Sequence, residues 1–471
     1  MDGLECSEIN RSKLERTLRI DSEFYSKSAI KVSDMLQSRS HDLLTTFVNV
    51  SDGNHMGISD CFIDEGVPYY RGQDAGAFFI ENSNPICINE KTFELPVMKR
   101  SHLKKGDVIL SIVGTIGSLS LVYSDKNATC SYKLAILRPK EGKSAELLAT
   151  FLRGKYGQAQ ITRFTRGAVQ KGLILEDMDQ LVVPTFGDGI VEAIKNAVQS
   201  AYQIQEKANI HYREAQRTLM NSVGSILAPA ESVSVRNIST SFYTTGRLDA
   251  EYYQPKYDIL FDELKKFSCK RLGGPNGIVN IKKSIEPGSE AYTEDGIPFV
   301  RVSDISKFGI SEPDIKLRSD IIPNPEVLFP PKDTILLSKD GSVGIAYKVE
   351  ATMPIITSGA LLHLKVRDKT EVLPDYLTLV LNSPVVQLQA ERDSNGAIIQ
   401  HWKPSEIENV IIPILDMDTQ KEIAAKVQEA FTLRKQSKQL LEYAKQTVEM
   451  AIEQGEDVAL AWLKDKIPVE V

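Results

Sequence analysis

The chain has 471 residues, 42% of them hydrophobic and 25% charged, enough for two or three domains with real cores. A net charge of −7 excludes an isolated, uniformly basic nucleic-acid binder. Either the chain binds no nucleic acid, or its basic residues are clustered, or a partner supplies positive charge. Five scattered cysteines, odd in number and without a C-x-x-C pair, exclude a disulfide framework and point to a reduced, cytoplasmic chain. The polar start, MDGLECSEINRSKLER, reads as no signal peptide, and no apolar run approaches the ~20 residues that span a bilayer.

In chain order, Leu18-Arg-Ile-Asp-Ser-Glu-Phe-Tyr25 leads into a helical stretch to about Leu44. Gly66-Val-Pro-Tyr-Tyr-Arg-Gly-Gln-Asp74 reads as a turn, a short strand and a polar loop. Gly106-Asp-Val-Ile-Leu-Ser111 is a strand after a turn, Gly114-Thr-Ile-Gly117 a tight turn, and Ser118 to Tyr123 the next strand. Leu134 to Leu137 is a further strand and Leu147 to Phe164 a helix. The polar loop Arg166-Gly-Ala-Val-Gln-Lys171 leads to a terminal strand, Leu181-Val-Val-Pro184. From Ile190 to Ile226 the chain has no proline, and no glycine until Gly224. Ile190, Ile194, Ala197, Ala201, Ile204, Ala208 and Ala215 recur in steps of four and three, the period of one buried helix face.

The second half repeats this order about 230 residues later. Gly246-Arg-Leu-Asp-Ala-Glu-Tyr-Tyr253 echoes the Leu18 segment, and Gly296-Ile-Pro-Phe-Val-Arg-Val-Ser-Asp304 echoes Gly66 to Asp74. Asp333 to Ser338 echoes Asp107 to Ser111, and Gly341-Ser-Val-Gly344 echoes Gly114 to Gly117. Gly396-Ala-Ile-Ile-Gln400 echoes Gly167-Ala-Val-Gln170, and Ile411-Ile-Pro413 echoes Val182-Val-Pro184. The helix Gln420 to Gln454 echoes the central one. Six matches in one order indicate a duplicated α/β (α+β) domain, each copy followed by a long helix. Some 35 residues at ~1.5 Å each make a rod roughly 50 Å long. Its Ala and Ile stripe wants one close partner: the other helix, antiparallel, with the globular domains at opposite ends about a pseudo-two-fold axis, or else its own domain.

Catalytic signatures are missing from both halves. Glu141-Gly-Lys-Ser-Ala145 lacks the first glycine of a phosphate loop, with Leu137 in its place. The six histidines have no metal-ligand spacing, and His211 is assigned to the helix seam. There is no G-x-S-x-G elbow, no D/N-P-P-Y/F segment and no nuclease E-x-K or D-x-K after Pro313-Asp314 or Pro374-Asp375.

What is present suits polar recognition. In the first half the candidates are Arg71, Gln73, Thr115, Arg163, Arg166, Gln170 and Lys171. In the second they are Arg301, Ser303, Lys339, Ser342, Arg392, Asn395, Gln400, His401 and Lys403. Arg and Lys can bond guanine edges, Asn and Gln adenine edges, and all four can contact phosphate. A solvated surface loop is the competing reading for each residue. Asp74 and Asp304 either cap the next element or orient the neighbouring Arg.

Over essentially its whole length the chain resembles the specificity (S) subunit of type I restriction-modification systems. The resemblance rests on the duplicated P-[YF]-[YV]-R-x-x-D stretch, the I-L-S…G-[TS]-[IV]-G stretch, the G-A-x-Q-like loop, the [IV]-[IV]-P strand and the long helix, in that order. It implies target-recognition domains at 1–188 and 229–417, long helices at 189–228 and 418–456, and a tail at 457–471. It implies a non-enzymatic subunit whose two domains each read one half of a split double-stranded DNA site. The paired helices would act as a coiled-coil ruler for the spacer. Two modification (methyltransferase) subunits and ATP-dependent restriction subunits would dock on the chain, with S-adenosylmethionine, ATP and Mg2+ on those partners and no cofactor on this chain. The halves differ strongly between motifs, so the target is expected to be asymmetric. The rival readings are the specificity subunit of a type IIB-like or methylation-only system, a protein-binding scaffold, and an independent nuclease or methyltransferase, which the missing motifs oppose.

Overall fold

A run of apolar residues buried on both faces builds the same sheet twice. In the computed structural model, which describes residues 6–15, 18–82, 85–167, 171–224, 233–396 and 399–467, Val108–Ser111 is buried at every position. It lies inside a four-stranded antiparallel sheet ordered Val48–Asp52, Leu134–Pro139, Val108–Ser111, Leu119–Leu121. Ile335–Ser338, likewise buried throughout, takes that place in a sheet ordered Val279–Lys283, Leu361–Val366, Ile335–Ser338, Ala346–Lys348. A smaller mixed sheet accompanies each, with Tyr69 and Tyr70 parallel to Thr129–Cys130, and Phe299 and Val300 parallel to Ile356–Thr357. The [IV]-[IV]-P strands close back on the start of their domains: Val182–Pro184 pairs with His41–Leu43, and Ile411–Pro413 with Cys269–Arg271.

The chain divides into two units, Met1–Gln205 with Lys435–Val471, and Glu206–Arg434. The division falls inside both long helices, Asp188–Val223 and Met417–Gln454. In unit 1, Ile190, Ile194, Ala197 and Val198 share a core with Ala444, Val448, Ala451 and Ile452. There Ser437 Oγ donates to the Ala201 carbonyl at 2.7 Å, which satisfies a hydroxyl buried in the seam. In unit 2, Tyr212, Ala215, Leu219 and Val223 pack with Ile423, Val427 and Ala430. Arg434 bonds Asn209, and Thr218 Oγ1 donates to Glu422, so the helices run antiparallel in that unit. Small Ala side chains at the seam let the axes approach closely.

The mixed helix-and-sheet class, the two-domain layout and the long helices agree with the sequence reading. Three details differ. The helix read over Leu147 to Phe164 is two helices, Ala145–Arg153 and Lys155–Phe164, because Gly154 adopts an extended conformation between them. The matching break in unit 2, between Pro374–Leu381 and Pro384–Asp393, comes from a proline at the start of the second helix. His211 is half-exposed beside Glu214, and its neighbour Tyr212 is the buried residue. The tail contains a helix, Glu456–Lys466, in which Ala459 and Leu463 are buried and Glu456 accepts from the Gly187 amide. The sequence-based end of the central helix at Ile226 and the last four residues of the tail lie outside the described residues, as does Gln170. Among the described residues, no helix is long and apolar enough to cross a membrane.

Candidate nucleic-acid interface

Each unit holds most of its candidate polar residues on one backbone frame. The strand Val67–Tyr70 ends at Arg71, where Asp74 accepts from the Arg71 amide at 2.7 Å and from its Nε at 3.3 Å. In unit 2, Asp304 accepts from the Arg301 amide at 2.8 Å, and Arg301 Nε stands 3.7 Å from the same carboxylate. Each Asp therefore both caps the following 3-10 turn and orients the Arg.

The second element is the hairpin of the central sheet. Gly114 and Gly117 take positive φ values of 84° and 87°, and Gly341 and Gly344 take 72° and 87°, conformations that a Cβ disfavours. Gly117 N donates to Ser111 O at 3.0 Å and Gly344 N to Ser338 O at 2.9 Å, so the tips have one geometry. The tip residues Gly114 and Thr115, and Gly341 and Ser342, are exposed.

The third element is the loop after the second short helix. Arg166 and Gly172 exchange two backbone hydrogen bonds of 2.8 Å, and Asn395 and His401 exchange bonds of 3.0 and 2.7 Å. Leu173 N then donates to Ile112 O at 2.9 Å and Trp402 N to Lys339 O at 2.8 Å, tying each loop to its hairpin. These bonds align Arg166 with Asn395, Gly172 with His401, and Lys171 with Gln400. The sequence echo had placed Gln170 opposite Gln400, one residue away.

In unit 1 the frame brings Thr115, Arg166 and Lys171 together and joins them to the Arg71–Gln73 loop, since Thr115 Oγ1 donates to Gly72 O at 3.0 Å. The Gln73 side chain is exposed. In unit 2 it brings together Lys339, Ser342, Asn395, Gln400 and His401. Lys339 pairs with Asp340, His401 Nδ1 lies 2.8 Å from the same carboxylate, and Gly341 N donates to Gln400 O at 2.9 Å. Burial acts against Asp340, but Lys339 and His401 prevail and hold its carboxyl below the usual range. Ser303 Oγ donates to Asp304, and the Arg301 loop meets the hairpin through Ser358, which donates to Val300 O, and Ala360, which accepts from Lys339 N.

Other candidates are engaged within the fold. Arg166 Nη2 donates to Asp177 at 2.7 Å, and Lys403 caps the helix Pro404–Glu408 with Glu406. Arg163 and Arg392 lie apart from the frame, each over an aromatic ring. The Phe24 ring sits between Arg19 and Arg163, with guanidinium carbons 4.4 and 4.2 Å from its centroid. The Tyr252 ring sits between Arg247 and Arg392 at 4.4 and 5.0 Å. Arg163 also donates to the Phe24 carbonyl, and burial lowers its pKa. The echo of Leu18–Tyr25 in Gly246–Tyr253 was the sequence signal for this duplicated stack, although residue types alone did not show that Arg19 and Arg247 would enclose a ring. Beside the frame in unit 1 an open cleft of about 1220 Å³ is lined by Arg19, Arg163, Arg166 and Lys171, against Asp21 and Glu23. Asp340, absent from the candidates, is the residue that organises the second frame.

Among the described residues no group of three or more His, Cys, Asp or Glu is placed to hold a metal, and all five cysteines are free. The arrangement offers exposed hydrogen-bonding side chains on rigid hairpin and loop tips, a geometry for recognition.

Comparison with known proteins gives one family match. The family described as type I restriction modification DNA specificity domain matches residues 275–443. No curated protein matches the chain. Among solved structures, the chain is similar to the type I restriction-modification system S subunit from M. genitalium, at 14% identity and TM-score 0.35, covering 90% of this chain and 95% of that one. It is also similar to the HsdS subunit from Thermoanaerobacter tengcongensis, at 16% identity and TM-score 0.29, covering 88% and 96%.

Proposed function

We propose that the whole chain is the DNA sequence-recognition subunit of a type I restriction-modification complex, with one recognition domain in each unit and no catalytic role of its own; the match of residues 275–443 to the type I restriction modification DNA specificity domain family supports this. The observation that carries this reading beyond the matched region is the duplicated frame. Unit 1 has the same sheet order, the same glycine hairpin and the same bonded loop as the matched unit. A different set of exposed side chains stands on each frame, which suits an asymmetric, bipartite target. The negative net charge fits a subunit whose hold on phosphates is shared with partners. Those partners are two methyltransferase subunits, which carry the S-adenosylmethionine, and the restriction subunits, which use ATP and Mg2+. The long helices offer them a docking surface and set the spacer between half-sites.

Co-expressing the chain with its cognate methyltransferase subunit, followed by methylated-adenine sequencing, tests the reading. The expected result is a split motif with a fixed spacer. Exchanging residues 240–413 for those of another specificity subunit should change one half-site and keep the other. Inserting four residues after Gln205 should lengthen the spacer and leave both half-sites intact. A well-formed complex that methylates without sequence preference would rule the function out.

A further inference from the structure

Lys171 and Gln400 occupy the same place in their units, and what surrounds them is alike. Each follows a glycine in the left-handed region, Gly167 at φ 109° and Gly396 at φ 123°. Each precedes the residue that closes the loop by paired backbone bonds, Gly172 or His401. Each is bridged to the exposed hairpin tip, through Val113 with Gly172 in one unit and Asp340 with His401 in the other. The backbone beside both positions is fixed by hydrogen bonds of the neighbouring residues Gly172 and His401, which do not involve the two side chains. Both side chains are exposed, and neither has a hydrogen bond or ion pair among the described residues. Arg166, Arg163 and Arg392, by contrast, are held by Asp177, Phe24, Asp393 and ring faces.

Phosphates are the same in every half-site, whereas base edges differ. Lys and Gln can both contact phosphate, but a position that served phosphate alone has no reason to differ between the two units. Here the frame is constant and the side chain is not. Lys offers only donors and a charge, while the Gln amide offers a donor and an acceptor. We infer that Lys171 and Gln400 are equivalent specificity-determining residues, each contacting base edges of its own half-site from a loop closed by equivalent backbone bonds. This rests on the DNA-recognition function proposed above.

The test is a pair of full-length variants, Lys171→Gln and Gln400→Lys, each in complex with the methyltransferase and read by methylated-adenine sequencing alongside the unaltered protein. A split motif from the unaltered complex establishes DNA recognition independently of this inference. Lys171→Gln is then expected to change base preference about tenfold or more at one position of one half-site. The other half-site and the spacer stay as they were. Gln400→Lys should act in the same way on the other half-site. Binding to duplexes of the unaltered motif, measured against salt, supplies a second readout. If Lys171→Gln leaves the motif unchanged but weakens all duplexes alike and lowers the salt slope by about one, the residue contacts phosphate and the inference is overturned. An unchanged motif with unchanged affinity also overturns it.

Discussion

Replacing Arg138 with methionine is expected to cost unit 1 about 3–5 kcal/mol, the penalty for leaving a buried charge without its partner. Arg138 stands on the strand Leu134–Pro139 and reaches Asp107, at the start of the neighbouring strand, with a two-pronged contact. Its Nε donates to one carboxylate oxygen at 2.7 Å and its Nη2 to the other at 2.6 Å. Nη2 also donates to the His102 carbonyl at 3.1 Å, and the Lys104 amide donates to Asp107 at 2.7 Å. The pair is unequal in exposure, 1% for the Asp107 side chain against 36% for Arg138. Without the arginine, the buried carboxylate loses both guanidinium donors and keeps one amide donor, from Lys104. Without the carboxylate, the guanidinium can still reach solvent. Asp107→Asn is therefore expected to cost less than Arg138→Met, and the double variant less than the sum of the two single changes. Hydrogen exchange of the Val108–Ser111 amides in the full chain measures this, because those amides lie inside the sheet that the pair joins. Protection in Arg138→Met equal to that of the unaltered chain would show that the pair holds nothing.

The frame was legible in outline because its parts are local. The glycines of both hairpins announce tight turns by residue type, and a buried strand announces itself by an unbroken apolar run. The helix stripe was legible for the same reason, with Ile190, Ile194, Ala197, Ala201, Ala208 and Ala215 all buried. The failures are long-range or depend on phase. His211 and Tyr212 differ by one position, about 100° around a helix, and a period of 3.6 cannot be phased to one residue from a stripe of small side chains. Matching Gln170 with Gln400 followed residue type. The true alignment is fixed by backbone bonds between Arg166 and Gly172, Asn395 and His401, and the hairpins that precede them. The basic candidates looked free because their partners lie elsewhere in the chain. Phe24 is far from Arg163 in sequence and Tyr252 far from Arg392, and only folding brings them into contact. Counting Arg and Lys therefore overstates the charge available to a ligand. The exposed residues with unengaged side chains, Lys171 and Gln400 among them, are the better guide.

Mild acid is expected to loosen unit 2 through one histidine. His363 lies on the strand Leu361–Val366, paired with Leu336 of the central strand, and its Nε2 lies 2.8 Å from Thr357 Oγ1. Burial, with a smaller contribution from the Lys282 charge, pushes its pKa down from 6.5 to about 4. The folded state thus holds the imidazole neutral, while the unfolded chain takes up a proton below about pH 6.5. Between those two values the unfolded state binds more protons, so stability is full above pH 6.5 and falls as the pH drops toward 4. The loss over that window is about 3 kcal/mol. Urea titrations of the full chain at pH 7 and pH 4.5 measure it. His363→Asn, which keeps a polar group opposite Thr357 but cannot titrate, is expected to lower stability at pH 7 and to flatten this part of the pH dependence. An acid response of the same size in His363→Asn would assign the effect to other groups. The alignment of the two sheets places Ile136 of unit 1 at the position of His363, so this histidine-linked loss has no counterpart there. The strand paired with His363 runs directly into Lys339 and the hairpin of the second frame. Hydrogen exchange at pH 4.5 should therefore rise in Ile335–Ser338 and fall back in His363→Asn, while the corresponding strand of unit 1, Val108–Ser111, shows no change attributable to that substitution.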